Sequence, residues 1–345
     1  MITKSTFGQL PNGTEVTKYT LIGKNGLTVG VLDYGATLQA IEFAGKDVLL
    51  GYENAADYVL AGGYYMGATV GRYANRIDGG KFTLNGIDYQ VTLNERGINQ
   101  LHGGEIGFDE KMWNMEIVDA DTPTLKATAF SADGEEGFPG NMNISVTFTV
   151  TDDNALSIHY AATSDKDTVA NFTNHAYFNL NGFDGGDILD TEVTMDAYAY
   201  TPVNENLIPT GEIVPVDGTP FDMRQGAVLG DVILSKYPAI SACGGLDHNF
   251  VIADKAGELR RAMYAKSPKS GIAVTCLTDL PGIQIFTANG LKMPFGKGGP
   301  MSTYQGFCME TQLFPDTPNH PNFPSCLLKA GETFETTTVY RFEKV

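Results

Sequence analysis

The sequence predicts an all-β protein, a large single-domain β-sandwich spanning residues 1–345, on three observations. Short runs of alternating β-branched and aromatic residues, separated by Gly, Asn and Asp turns, begin almost at once and continue to the end. Glycine and proline, at 40 and 16 residues, are too many for a helix bundle, because both interrupt regular helix. Helical periodicity is nearly absent, residues 57–60 amounting to at most one turn. The length would allow two domains, but no charge run, low-complexity stretch or repeat marks a boundary. So many strands favour two packed sheets over one closed barrel.

In chain order, residues 15–22 and 27–33 flank Asn25-Gly26, and residues 82–84 and 87–91 flank Asn85-Gly86. Asn-Gly tolerates the positive φ angles of a type I′ turn, so both pairs read as hairpins. Further strands are expected at 125–131, 143–151, 155–163, 168–173, 192–195, 259–265, 271–278, 282–287, 307–312 and 333–342. Three longer loops, 97–110, 201–224 and 290–305, are where a site on a β scaffold would gather.

The balance of 23 basic to 41 acidic residues gives a net charge of −18, a field that repels nucleic-acid backbones and anionic lipid headgroups. Charged residues make up 19%, below the roughly 25% usual for soluble domains, so much of the polar surface is neutral amide and hydroxyl. Such groups suit sugar recognition. Cys243, Cys276, Cys308 and Cys326 match no zinc pattern and are too sparse for a disulfide framework; reduced thiols in a cytoplasmic protein are expected. Residues 1–10 lack the apolar segment of a signal peptide, and no apolar run approaches the roughly 18 residues of a membrane helix.

Five histidines are present. His159 lies in an ordinary alternating strand, His320 in a proline-rich loop expected to be exposed, and His248 after Asp247 in what reads as a hydrogen-bonded turn. No HxxxH or HxH spacing occurs, so no metal site is expected. His102 sits in Leu101-His102-Gly103-Gly104, where glycine lets backbone or ligand approach closely; it is either a turn cap or a site residue. His175 sits in the amide-rich run Asn174-His175-Ala176-Tyr177-Phe178-Asn179, where an extended chain would put Thr173, His175 and Tyr177 on one face; a satisfied core histidine is the competing reading. In Phe307-Cys308-Met309-Glu310-Thr311-Gln312, alternation puts Cys308, Glu310 and Gln312 opposite Phe307 and Met309, either as a polar pocket floor or as a surface face. Arg72 and Arg76 stand four apart with no sign of which enters a site. The glycines form no dinucleotide or phosphate loop, and no cofactor is expected.

Together, Gly71-Arg72-Tyr73-Ala74-Asn75-Arg76-Ile77, Leu101-His102-Gly103-Gly104 with Gly107-Phe108-Asp109, Asn174-His175-Ala176-Tyr177-Phe178-Asn179-Leu180, Leu246-Asp247-His248-Asn249-Phe250, Pro281-Gly282-Ile283-Gln284 and Glu310-Thr311-Gln312 with Pro318-Asn319 resemble the aldose 1-epimerases, or galactose mutarotases. The resemblance covers most of the chain in order, with no departure at the catalytic positions. It implies a single-domain mutarotase-like sandwich, an open cleft for a free aldohexose, and no cofactor. It also implies that His175 is the acid at the ring oxygen and Glu310 the base at the anomeric hydroxyl. His102 is similar to the second site histidine, Asn75, Arg76, Asp247 and Gln284 match hydroxyl-binding positions, and Phe286 faces the sugar. Glutamate would be ionised and ready to accept, and histidine poised near neutrality.

Three alternatives stand beside this. A hexose-6-phosphate 1-epimerase would need extra cations for a dianion, for which residues 292–297 are the only cluster. A glycoside hydrolase would more usually present two carboxylates. A non-catalytic carbohydrate-binding module would have no use for His175 and Glu310. Partners are expected to be limited to the aldohexose and at most a second copy, as monomer or homodimer.

Overall fold

A computed structural model describes residues 1–345. Nine antiparallel strands form its largest sheet, in the spatial order Asn114–Asp119, Thr124–Ser131, Met142–Val150, Ala155–Ser164, Thr333–Lys344, Ile272–Thr278, Arg260–Lys266, Glu192–Met195 and Ala227–Val228. The C-terminal strand thus lies mid-sheet and ties the two halves of the chain together. Alternation dictates which face is wet: Met142, Ile144, Val146, Phe148 and Val150 are buried, whereas Asn143, Ser145, Thr147 and Thr149 lie towards water.

A six-stranded antiparallel sheet runs Tyr177–Phe178, Phe307–Gln312, Gly282–Phe286, Asp247–Val251, Ala199–Tyr200 and Val214–Pro215. Its inner face packs on the nine-stranded sheet, where the Tyr340 hydroxyl donates to the Met309 carbonyl at 2.8 Å and the Phe178 and Tyr340 rings lie 5.0 Å apart. One apolar core joins both sheets to a five-stranded N-terminal sheet running from Ile2–Gln9 to Lys46–Asp47. No helix is long and apolar enough to cross a membrane.

Most expected strands are present within a residue or two. Both hairpins form, but only the second has the expected turn: Asn85 and Gly86 have φ of 52° and 76°, joining Leu84 to Ile87, whereas at Asn25-Gly26 only Gly26 is left-handed, at 101°. The single strand expected at 168–173 is two short ones, Thr168–Val169 and Thr173–Asn174. Residues 57–60 belong to a helix, Ala55–Leu60, whose Asn54 cap accepts from the Asp57 N–H. Two short helices, Leu229–Ile233 and Pro238–Cys243, fall where the sequence suggests no element.

Candidate active site

The site begins as a strand-register effect. Glu310 pairs with Gln284 and Gln284 with Asn249, while Cys308 pairs with Phe286 and Phe286 with Asp247. Paired and alternate residues share a face, so Asp247, Gln284, Phe286, Cys308 and Glu310 leave the sheet together. Phe250, Ile283, Ile285, Phe307 and Met309 enter the core from the other side.

Two short ladders bring the remaining groups over that face. Thr173–Asn174 pairs with Thr69–Val70, and Tyr177–Phe178 pairs with the Phe307–Gln312 strand; His175 lies between them, its N–H donating to the Ala68 carbonyl at 2.9 Å and its carbonyl accepting from Gly67 at 2.9 Å. Arg76–Ile77 pairs with Gln100–Leu101, which places Asn75 and Arg76 beside His102. Both Asn75 and His102 are left-handed, with φ of 66° and 55°. Gly103 follows at 102°, and a Cβ there would collide with the Gly71 carbonyl; close backbone approach is why glycine stands at this position.

The result is a cavity of about 270 Å³ lined by Asn75, Arg76, His102, His175, Asp247, Phe286 and Glu310. The His175 Nε2 lies 3.6 Å from Glu310 Oε1, and the His102 and His175 rings are 5.2 Å apart at 83°. Gln284 stands behind this wall, its amide donating to Asp247 Oδ1 at 2.6 Å. The Phe286 ring is 6.3 Å from that of His175. His102, His175 and Glu310 also offer donor atoms within 4.8 Å of one another, a set that could ligate a divalent ion and that separation along the chain conceals.

Burial governs the electrostatics. Desolvation pushes the His175 pKa down to about 4 and holds that of His102 well below the usual imidazole range, with the charges of His175 and Arg76 adding to the effect. The Glu310 carboxyl is held well above the carboxylate range by burial and then by Asp247, with Arg76 opposing. Burial and the Asp247 charge thus work against the ionised form expected from sequence, and only Arg76 supports it. The same desolvation disfavours charge on both members of the buried His175–Glu310 pair.

Three site features escaped sequence reasoning. Glu95 holds Arg76 through Nε and Nη2 at 2.8–3.0 Å, and the only hint was an acidic residue on a loop. Tyr65, left-handed at 49°, lays its ring 4.7 Å from that of His102. Arg72 turns away from the site, bonding Ser131, Pro139 and Ala132, so only the second arginine of the pair lines the cavity. Among the other histidines, His248 lies in a strand rather than a turn and is fully buried, its Nδ1 accepting from the Asp247 N–H at 3.1 Å. His320 is not exposed as expected, lying 3.2 Å from Asp316 with 19% of its side chain accessible, and His159 bonds Thr337 across the large sheet.

Fold and site define a class: an all-β protein of packed antiparallel sheets with a buried histidine and glutamate 3.6 Å apart in a small polar cleft. Residues 17–341 match the family model described as aldose 1-epimerase. The chain is 39% identical to the galactose mutarotase of Sus scrofa, over 99% of this chain and 98% of that one, and 34% identical to the aldose 1-epimerase of Escherichia coli K12, over 96% of each. The crystal structure of a galactose 1-epimerase from Lactobacillus acidophilus superposes with a TM-score of 0.88 at 28% identity, covering 100% of this chain and 99% of that one. The chain belongs to the aldose 1-epimerase family and is an isomerase of that kind.

Proposed function

We propose that the enzyme interconverts the α and β anomers of free aldohexoses, galactose and glucose, with His175 as acid and Glu310 as base. The observation that carries this is the contact between His175 Nε2 and Glu310 Oε1, 3.6 Å, at the cavity floor. The ring oxygen and the anomeric hydroxyl share one carbon, so groups serving both must be near neighbours. Opening the ring moves a proton from His175 to O5 while Glu310 takes the O1 proton and the C1–O5 bond breaks, leaving an open-chain aldehyde. Rotation about C1–C2 followed by the reverse transfers closes the other anomer. The step starts from the tautomer of the singly protonated pair that carries the proton on His175, and both residues are neutral once the ring has opened, so no buried charge is left beside the aldehyde.

The binding residues follow from their chemistry. Arg76, oriented by Glu95, offers a planar donor fork, Asp247 offers carboxylate acceptors, and the Asn75 side chain, whose Oδ1 accepts from the Arg76 N–H at 2.9 Å, keeps its amide hydrogens for a hydroxyl. In this reading Gln284 acts by holding Asp247. A cavity of about 270 Å³, just under the roughly 300–1,000 Å³ of drug-sized pockets, suits one sugar ring.

Residues 292–297 do not favour a phosphorylated substrate. Lys297 is buried on Asp47 at 2.6 Å and on the Gln39 and Leu49 carbonyls. The remainder of the reading is one functional domain, a cytoplasmic location and a monomer or homodimer. The test is polarimetry of freshly dissolved α-D-galactose and α-D-glucose, with a hexose 6-phosphate alongside. Acceleration of both free sugars is expected; a spontaneous rate with the free sugars, or a preference for the phosphate ester, refutes it.

A further inference from the structure

The two site histidines have different partners at the nitrogen facing away from the cavity, and the difference separates their roles. Asn75 and His102 are clamped together twice: the His102 N–H donates to the Asn75 carbonyl at 3.1 Å, and the Asn75 N–H donates to His102 Nδ1, also at 3.1 Å. A main-chain N–H can only donate, so Nδ1 must present a lone pair and the hydrogen of the neutral ring must sit on Nε2. Protonating Nδ1 would oppose two donors in a fully buried place. At His175 the corresponding partner is the Cys308 thiol, with Sγ 3.6 Å from Nδ1. A thiol both donates and accepts, so His175 tolerates a hydrogen on Nδ1 while Nε2 gains or loses its own beside Glu310.

We infer that the Asn75 main-chain N–H locks His102 in the Nε2–H tautomer, making it a permanently neutral hydrogen-bond donor into the site. The proton transfers then fall to His175 alone. This rests on the epimerase reading for the identity of the reaction, but the lock itself is a property of the unliganded protein. Asn75 is in this respect a positioning residue, acting through His102.

The lock has a second consequence. His102, His175 and Glu310 resemble a two-histidine, one-carboxylate ligand set, with donor atoms within 4.8 Å, yet neither His102 nitrogen has a free lone pair. Nδ1 is engaged by Asn75 and Nε2 carries the hydrogen. Chelation requires a neutral nitrogen with its lone pair exposed, so the lock keeps a buried triad from capturing zinc and blocking the acid–base pair.

The experiment is a two-bond ¹H–¹⁵N correlation of the imidazoles in the full-length, ¹⁵N-labelled protein without sugar, between pH 6 and 8. The His102 signals are assigned by their loss in His102→Gln. The expected pattern for His102 is a protonated Nε2 and an unprotonated Nδ1, constant across the range. A protonated Nδ1, in either the neutral or the doubly protonated ring, overturns the inference. Zinc chloride titration of the same sample is expected to show no one-to-one binding that His102→Gln abolishes; such binding overturns the lock as a barrier to metal. A further comparison reads function: the Gln amide can replace the Nε2 donor, so His102→Gln is expected to retain at least about tenfold more kcat/KM than His102→Met, and equal losses contradict a donor role. The spectrum is read without turnover, so a failed tautomer pattern leaves the epimerase reading standing, whereas the expected pattern in a protein that accelerates no anomerisation refutes that reading alone.

Discussion

In the nine-stranded sheet the Met142–Val150 strand sends every second side chain to the core and the intervening Asn, Ser and Thr residues towards water. In the six-stranded sheet the Phe307–Gln312 strand is buried along its whole length, one face against the core and the other against the cavity. The two obey the same alternation. They differ in what meets the second face: solvent in one case, and in the other a set of polar groups sheltered by loops. A polar residue on the wet face of the large sheet is a solubility choice, whereas Glu310 is a carboxyl kept from water, and burying it without purpose would cost several kcal/mol. Function is therefore concentrated where the fold is least favourable to the residues present.

That contrast predicts that substitutions on the cavity face alter chemistry and those on the large sheet alter stability. The largest effect belongs to the proposed acid–base pair. His175→Ala and Glu310→Gln are each expected to lower kcat/KM by about 10²–10⁴-fold, with thermal unfolding close to wild type, as measured by coupled mutarotation kinetics and calorimetry. Next comes Phe148→Ala in the large sheet, expected to reduce unfolding free energy by about 3–5 kcal/mol while the folded enzyme keeps its kcat/KM. A comparable loss of activity per folded molecule would break the division between the two sheets.

Glu95→Ala sharpens the comparison within the site, because Glu95 touches Arg76 and lies outside the acid–base pair. Removing it frees the Arg76 fork, and KM is expected to rise roughly tenfold with kcat largely kept, the signature of lost ground-state binding. The smallest effect concerns pH. Burial lowers the His175 pKa to about 4, so the second proton reaches the pair only as pH falls through that region. Activity of the singly protonated pair is then expected to vary by less than about twofold from pH 5 to 6.5 and to fall near pH 4. An acid limb near 6.5 would show that His175 titrates as though exposed.

Much of this was legible in the residues. Alternation alone places the long strands of the large sheet almost to the residue, and it puts Cys308, Glu310 and Gln312 on one face. Polar outer strands such as Ile2–Gln9 are not legible, since none of that strand's residues is buried and only Ile2, Phe7 and Gly8 are partly so. Two-residue ladders such as Arg76–Ile77 with Gln100–Leu101 carry too little pattern to read at all. The site residues came from motif resemblance; their arrangement did not. Glu95 reaches Arg76 from 19 residues away through a loop geometry that no local periodicity encodes, and the upward push on the Glu310 pKa depends on a degree of burial that only packing reveals. Arg72 and Arg76 make the same point: four residues apart and alike in sequence context, they part company, Arg72 bonding Ser131 and Arg76 bonding Glu95, with a left-handed Asn75 between them.

The most direct test of the account is two-dimensional exchange NMR on D-galactose and D-glucose already at anomeric equilibrium, which records α-to-β interconversion without net reaction. Exchange cross-peaks between the two anomeric protons that grow with wild-type enzyme and collapse towards the uncatalysed level with Glu310→Gln are the predicted result. Wild-type exchange no faster than in buffer, or full exchange in the Glu310→Gln protein, would contradict it.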